Sequence, residues 1–246
     1  MWPLIEYVFY NPQFLWGMIL DLLVLPLALV MFCIKWMYPK PLDVFYPRYS
    51  HAPPILLVHG SGANEAQWVF APWYLKGRFN VYTVQLNELP ASPKTSIKSL
   101  AEIVDQKVQQ IYQDTGQPIT LVGHSMGGLV SAWYAEEFPH TEIYLKQVIT
   151  IASPWRGAPA LQHLNLGTVR HSEMTPGSIF LQQLSERMRR PRHLYTCFGS
   201  PYDFQVPREY TCVNHTKVTS KTYPWGHTSA IVMPTIWWFI RTISQA

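Results

Sequence analysis

The sequence predicts an α/β fold, a mostly parallel and doubly wound sheet preceded by an N-terminal hydrophobic helix. Three observations point there. Short apolar runs alternate with longer amphipathic ones after residue 54, a glycine-flanked serine stands between one such run and the next, and the first 37 residues carry only Glu6, Asp21 and Lys35 as charges.

The runs Ile55 to His59, Val81 to Leu86, Ile119 to Val122, Gln147 to Ala152, Leu194 to Phe198 and Thr216 to Thr219 read as strands. Near-continuous apolarity is expected of strands covered on both faces, as in a parallel sheet. Between the second and third runs, Ile97, Leu100, Val104, Val108 and Ile111 recur at three- and four-residue steps and so share one helix face. Ser99 and Glu102 offer a capping box, and Gly116 closes the helix. Leu129 to Phe138, stopped by Pro139, and Ile236 to Ile243, with Pro234 near its start, supply two more helices. The order is βαβαβ, without internal repeats or low-complexity tracts.

A length of 246 residues favours one domain with an appendage, since single cores stop growing near about 250 to 300 residues. The composition is 48% hydrophobic and 14% charged, against roughly 25% charged in an average soluble domain; the shortfall points to a membrane. A net charge of +4 without a basic stripe of interleaved aromatics argues against a nucleic-acid partner. Cys33, Cys197 and Cys212 are too scattered for a disulfide framework or a zinc site and read as small hydrophobes, with a Cys197 to Cys212 bridge left open. Asn214-His215-Thr216 has the form of a glycosylation sequon, which matters only on a eukaryotic secretory route.

Residues 1–37 read as a membrane anchor, single-pass or monotopic. The stretch Leu15 to Met37 is about as long as a spanning helix needs, with Trp16 and Trp36 where interfacial aromatics sit. Asp21 is the objection to a span, and the uninterrupted core from Leu22 to Ile34 is short enough for a monotopic or buried helix. Without Lys or Arg before the run, or a small-residue cleavage site after it, the segment reads as retained. Lys35, Lys40 and Arg48 follow it and Glu6 precedes it, which favours a cytoplasmic catalytic domain. Residues 38–54, with Pro39, Pro41, Pro47, Pro53 and Pro54, read as a stiff extended linker with one edge strand at Val44 to Tyr46, and residues 55–246 as the catalytic domain.

The segment Gly123-His124-Ser125-Met126-Gly127-Gly128 lies between a strand and a helix. In that context G-x-S-x-G has a mechanical meaning: flanking glycines permit a tight turn that thrusts the serine hydroxyl out at the carboxyl end of the sheet. A serine hydroxyl needs a base to become a nucleophile, and the base needs an orienting carboxylate. Of nine histidines, His227 is the candidate base, because it follows the last strand and the loop Tyr223-Pro224-Trp225-Gly226 and so projects at the same sheet edge. Asp203, after the strand Leu194 to Phe198, is the candidate acid, with Glu209 as fallback; the chain order Ser, Asp, His fits. Oxyanion donors are expected at the Met126 N–H, at a helix N-terminus, and at Ser61 in the loop His59-Gly60-Ser61-Gly62. That loop lacks the spacing of a phosphate-binding motif. His59, Gly60, His124 and Trp155 complete the expected substrate-binding set, and the chemistry requires no metal and no cofactor.

Val58-His59-Gly60-Ser61-Gly62-Ala63-Asn64, the elbow Val122 to Leu129 and Ile151-Ala152-Ser153-Pro154-Trp155-Arg156-Gly157-Ala158-Pro159 resemble the lipase and esterase branch of the α/β-hydrolases, which includes triacylglycerol lipases and related lipid deacylases. The resemblance runs from Ile55 to the C-terminus. It implies oxyanion amides at Ser61 and Met126 and a short, rather polar lid over Trp155 to Pro191. The first two strands of the full fold are missing unless the linker supplies one.

The expected substrate is a lipid or other acyl ester, given the tether, the low charge and ten tryptophans. Arg187, Arg189, Arg190 and Arg192 read either as a site for anionic headgroups or as a solvated helix end. Trp237-Trp238-Phe239 reads as core rather than as a membrane-facing patch. Two other readings compete with ester hydrolysis: an acyltransferase using the same three residues, and a non-catalytic, membrane-anchored hydrolase-like binding protein. The oligomeric state is left open.

Overall fold

A computed structural model of the chain describes residues 11–37, 41–86, 94–163 and 167–243. Glu6 and Lys40, two of the charges that set the expected sidedness, lie outside them.

The described elements run α1 (Gln13–Met37), β1 (Pro54–Val58), α2 (Ala71–Tyr74), β2 (Asn80–Val84), α3 (Ile97–Thr115), β3 (Ile119–His124), α4 (Met126–Glu137), α5 (Thr141–Tyr144), β4 (Leu145–Ile151), α6 (Val169–Glu173), α7 (Ile179–Arg187), β5 (Tyr195–Gly199), β6 (Val218–Thr222) and α8 (Pro234–Ile243). The six strands form one sheet in the order β2-β1-β3-β4-β5-β6, every adjacent pair parallel. Order reverses at β1 and β3, and at such a switch point the strand ends leave a crevice for ligands.

Successive side chains of a strand point to opposite faces. On β1, Leu56 and Val58 join one core with α3, α4 and α7, while Ile55 and Leu57 join the other with Trp68, Phe79 and Trp237. That two-sided burial is why β1 and β3 read as continuous apolar runs; each such side chain contributes roughly 1.5–3 kcal/mol. β6, at the sheet edge, leaves all but Val218 exposed and lies at 218–222, two to three residues beyond the expected run.

Three local expectations change. The helix after β2 starts at Ile97, so its capping box is Ser96 with Ser99 rather than Ser99 with Glu102: each hydroxyl accepts the other residue's backbone N–H at 3.1 Å. Gly116 closes it in the left-handed conformation, as expected. Val44 to Tyr46 is not a strand, because Leu42–Phe45 turn as a 3-10 helix in which the Tyr46 N–H donates to the Asp43 carbonyl. The linker is also pinned: Asp43 pairs with Lys107 at 2.8 Å, Arg48 donates to the Val81 carbonyl, and Asn80 bonds the backbone of Tyr49 and Ala52. It thereby covers the outer side of the edge strand β2.

α1 is not detached from the rest. Phe14, Leu20 and Val24 face the domain and are buried, while Trp16, Ile19, Leu22 and Leu23 are exposed, Leu23 to 72%. The helix packs on the turns Glu65–Trp68 and Ser229–Ile231. Its stretch Gln13–Val30 has a mean hydropathy of 2.0, long and apolar enough to cross a membrane by length and composition. Within the span expected as a lid, α6 borders the cavity described below, whereas α7 buries Phe180, Leu181 and Leu184 in the core beside α4. At the C-terminus, Trp237 is core as expected, but Trp238 is exposed.

Candidate active site

Ser125 joins β3 to α4 with φ 54° and ψ −125°, a conformation disfavoured for a residue with a Cβ and costing on the order of 1–3 kcal/mol. Packing enforces it. A Cβ on Gly123 would overlap the Gly127 backbone, and one on Gly127 would overlap the carbonyls of Val58 and His59, so strand, turn and helix close tightly only without those atoms. The Ser125 N–H donates to the Ile151 carbonyl at 2.8 Å.

The Ser125 hydroxyl lies 3.0 Å from His227 Nε2. On the other side of the ring, His227 Nδ1 lies 2.7 Å from Asp203 Oδ2. The second oxygen of Asp203, which is fully buried, accepts the N–H groups of Gln205 and Val206 at 2.9 Å each. This leaves the carboxylate fixed and the imidazole oriented with Nδ1–H toward it, so Nε2 is free to accept the serine proton. Burial, the largest influence on His227, disfavours its charged form; the charge and hydrogen bond of Asp203 and the charge of Asp21 outweigh it, and the pKa is raised above the usual 6.5. Glu209, the fallback acid, is exposed on a turn.

The serine and histidine open into a largely apolar cavity of about 730 Å³. Its walls include Leu25 and Leu29 of α1, Phe70, Met174, Val206 and Ile231. Ser61, Gly60 and His124 also border it. Met126 opens α4, where the first backbone N–H groups have no partner within the helix. The Ser61 hydroxyl lies 3.3 Å from His171 Nε2, and His171 Nδ1 lies 2.6 Å from Thr168 Oγ1.

Two expected cavity residues lie elsewhere. His59 is fully buried behind the wall: its Nδ1–H donates to the Gly60 carbonyl at 2.9 Å, and its Nε2 accepts the Leu86 N–H at 3.1 Å. It ties the end of β1 to the segment after β2, and burial pulls its pKa down to about 4. Trp155 is in the core, its indole N–H donating to Thr150 and its ring edge-on to Tyr195. Three of the arginines expected as a headgroup site meet carboxylates of the chain: Arg187 with Glu137, Arg189 with Glu186 and Arg192 with Glu142. Cys197 and Cys212 are free thiols.

Sequence reasoning missed Asp21 and the α6 side of the cavity, where Arg170 and His171 line the wall. Asp21 accepts the backbone N–H groups of His227, Thr228 and Ser229 at 2.8, 3.0 and 2.8 Å and the Ser229 hydroxyl at 2.9 Å. The signal was present, because an ionisable residue inside an apolar helix marks a partner by default.

Comparison with known proteins agrees with this fold. The chain is 29% identical over 123 residues to the pimeloyl-[acyl-carrier protein] methyl ester esterase of Vibrio campbellii, covering 47% of this chain and 46% of that one. It is 30% identical over 101 residues to monoacylglycerol lipase ABHD6 of Homo sapiens, covering 39% and 29%. The chain thus spans about half or less of the length of these curated relatives. In fold it resembles the mature lipase BlEst2 of Bacillus licheniformis, with TM-score 0.66 and 17% identity over 81% of this chain and 94% of that one. Aspergillus fumigatus lipase B gives TM-score 0.66 and 15% identity over 82% and 55%. Residues 55–230 match the alpha/beta hydrolase family, and the chain belongs to that family.

Proposed function

We propose that the protein is a membrane-associated serine hydrolase that cleaves carboxylic esters of lipids through an acyl-enzyme on Ser125. The observation that carries this reading is the unbroken hydrogen-bond chain from Asp203 through His227 to Ser125, ending in an apolar cavity.

In the proposed cycle His227 Nε2 takes the hydroxyl proton as Ser125 Oγ bonds to the ester carbonyl carbon, and the carbonyl electron pair moves to oxygen. The Met126 N–H and the Ser61 N–H receive that oxyanion. When the carbonyl reforms, the bond to the alkoxy oxygen breaks and the leaving alcohol takes the proton from His227. Water then repeats the sequence, with His227 accepting its proton, and releases the acid and free Ser125. Asp203 holds the Nδ1–H and stabilises the imidazolium.

Membrane association rests on the exposed apolar face of α1. The helix docks on the domain from Phe14 to Val24 and borders the cavity as far as Leu29, which favours a helix lying in the membrane surface over one crossing it. A crossing helix would draw the polar groups bonded to Asp21 into hydrocarbon. Leu25 and Leu29 are both exposed and part of the cavity wall, which gives an acyl chain an apolar route from the lipid.

The test is hydrolysis of a chain-length series of p-nitrophenyl esters, then of monoacylglycerol and phospholipid, by the full chain in detergent. Turnover should favour medium or long acyl chains over acetate and vanish in Ser125→Ala. Preference for the shortest ester would overturn the lipid reading, and undiminished turnover by Ser125→Ala would overturn the mechanism.

A further inference from the structure

The strongest feature outside the three reacting side chains is the contact of α1 with two separate loops. A Cβ on Gly17 would overlap the carbonyl of Tyr202, the residue before Asp203. One turn along, Asp21 takes all three successive N–H groups from His227 to Ser229, and a Cβ on Gly226 would overlap both the Gly17 carbonyl and the Asp21 carboxylate. One helix face therefore bears on the acid loop and the base loop together. The intervening β6 is an edge strand with little buried surface of its own.

We infer that Asp21 is a positioning residue for His227, and that α1 braces the Asp203 and His227 loops against each other as a working part of the active site. This rests on the serine-hydrolase reading above. A carboxylate accepting several N–H bonds anchors a loop strongly, since charge-assisted hydrogen bonds are about twice as strong as neutral ones. The bonds are divided: Oδ2 takes the His227 N–H, while Oδ1 takes the Thr228 and Ser229 N–H groups and the Ser229 hydroxyl. The hydroxyl of Ser229 also accepts the Gly226 N–H at 2.9 Å, which closes the loop on itself. Loss of this anchorage misplaces a ring whose hydrogen bonds must stay within a few tenths of an ångström, and a shift of about 1 Å costs on the order of a hundred-fold in rate.

Charge and position separate in the variants. Asp21→Asn can keep the Oδ1 bonds but loses the charge and turns an N–H donor toward the His227 N–H. Ser229→Ala keeps the charge and removes two hydrogen bonds. The groups around the His227 ring are Asp203 from the β5–β6 loop, Asp21 from α1, His124 from the end of β3, whose ring centroid is 5.0 Å away, and Tyr223, buried beside both carboxylates. Among them the carboxylates hold the imidazolium, so losing Asp21's charge makes the free imidazole a weaker base.

The experiment is the pH–rate profile of p-nitrophenyl butyrate hydrolysis by the full chain in detergent, for wild type, Asp21→Asn, Ser229→Ala and the control Ile143→Ala on the exposed side of α5. Asp21→Asn should lower kcat roughly ten- to hundred-fold with KM nearly unchanged and move the acidic limb to lower pH. Ser229→Ala should lower kcat less, with the limb unmoved, and Ile143→Ala should match wild type. A folded Asp21→Asn with wild-type kcat and limb overturns the inference; if that variant does not fold, wild-type kcat in Ser229→Ala overturns it. A wild type that turns over no ester and carries no acyl group on Ser125 overturns the serine-hydrolase reading itself, a separate result from a wild type that works and an Asp21→Asn that equals it.

Discussion

His124 and His227 lie against each other at the carboxyl edge of the sheet, both buried, the His124 Nε2–H donating to the His227 carbonyl at 3.0 Å. Their chemistry is opposite. Burial, reinforced by His227, pulls the His124 pKa down to about 3, and among the described residues no carboxylate charge offsets it. His227 is just as enclosed, yet Asp203 and Asp21 turn the balance and raise it. The pair teaches that desolvation alone makes an imidazole inert; a carboxylate at Nδ1 makes it a base. On the elbow side, His59 is a neutral strut between two backbone groups and His124 a neutral donor to one, and on the loop side one histidine is set up to carry a proton.

Removing the carboxylate should break that difference with the largest effect. Asp203→Asn is expected to lower kcat by about 10⁴-fold, since the imidazole loses its orientation and the partner of its charge. In the wild type, activity should fall as pH drops through the raised pKa of His227, and in the residual activity of Asp203→Asn that limb should lie at lower pH. Glu209→Gln should leave both unchanged. Steady-state rates from pH 5 to 9 decide it, and an unmoved limb in Asp203→Asn would count against the assignment of acid and base.

How far these roles could be seen in advance depends on how local their causes are. The Ser125 turn was legible because its requirement is written in neighbouring residues: glycines at 123 and 127 allow backbone contacts that a Cβ forbids. His227 and Asp203 followed from the order of strands, since loops after parallel strands gather at one edge. Asp21 was not legible as part of this edge. Its partners are more than 200 positions away, so its position in an apolar run signalled a partner without saying where that partner lies. His59 and Trp155 were expected at the cavity from their motifs, but their polar atoms are bonded inward, which motif spacing does not encode. The parallel sheet, though not its strand order, was likewise implied by alternating runs, whereas the 3-10 turn at Leu42–Phe45 depended on Pro41 and on Asp43 meeting Lys107 across the fold.

The smaller effect sharpens the same contrast through stability. His59 and His124 have folded pKa values below the unfolded value of about 6.5, so their contribution is complete above that pH and is lost as pH falls toward about 4 and about 3. His227 acts in the opposite sense, stabilising below about pH 6.5 and losing that contribution as pH rises through its raised value. Urea unfolding at pH 7.5 and pH 5 should therefore show a loss of about 2 kcal/mol from each of His59 and His124, partly offset by His227. His59→Gln, which cannot titrate, should show a smaller loss between the two pH values than wild type. Equal stability at the two pH values would contradict the neutral-strut assignment.

The central claim is that Ser125 is an activated nucleophile, and covalent labelling tests it most directly. The full chain in detergent, treated with a fluorophosphonate and digested, should carry the phosphonyl group on the peptide containing Ser125, with labelling lost in Ser125→Ala and strongly slowed in His227→Ala. A folded wild-type protein that stays unlabelled, or carries the label on another residue, would contradict the account.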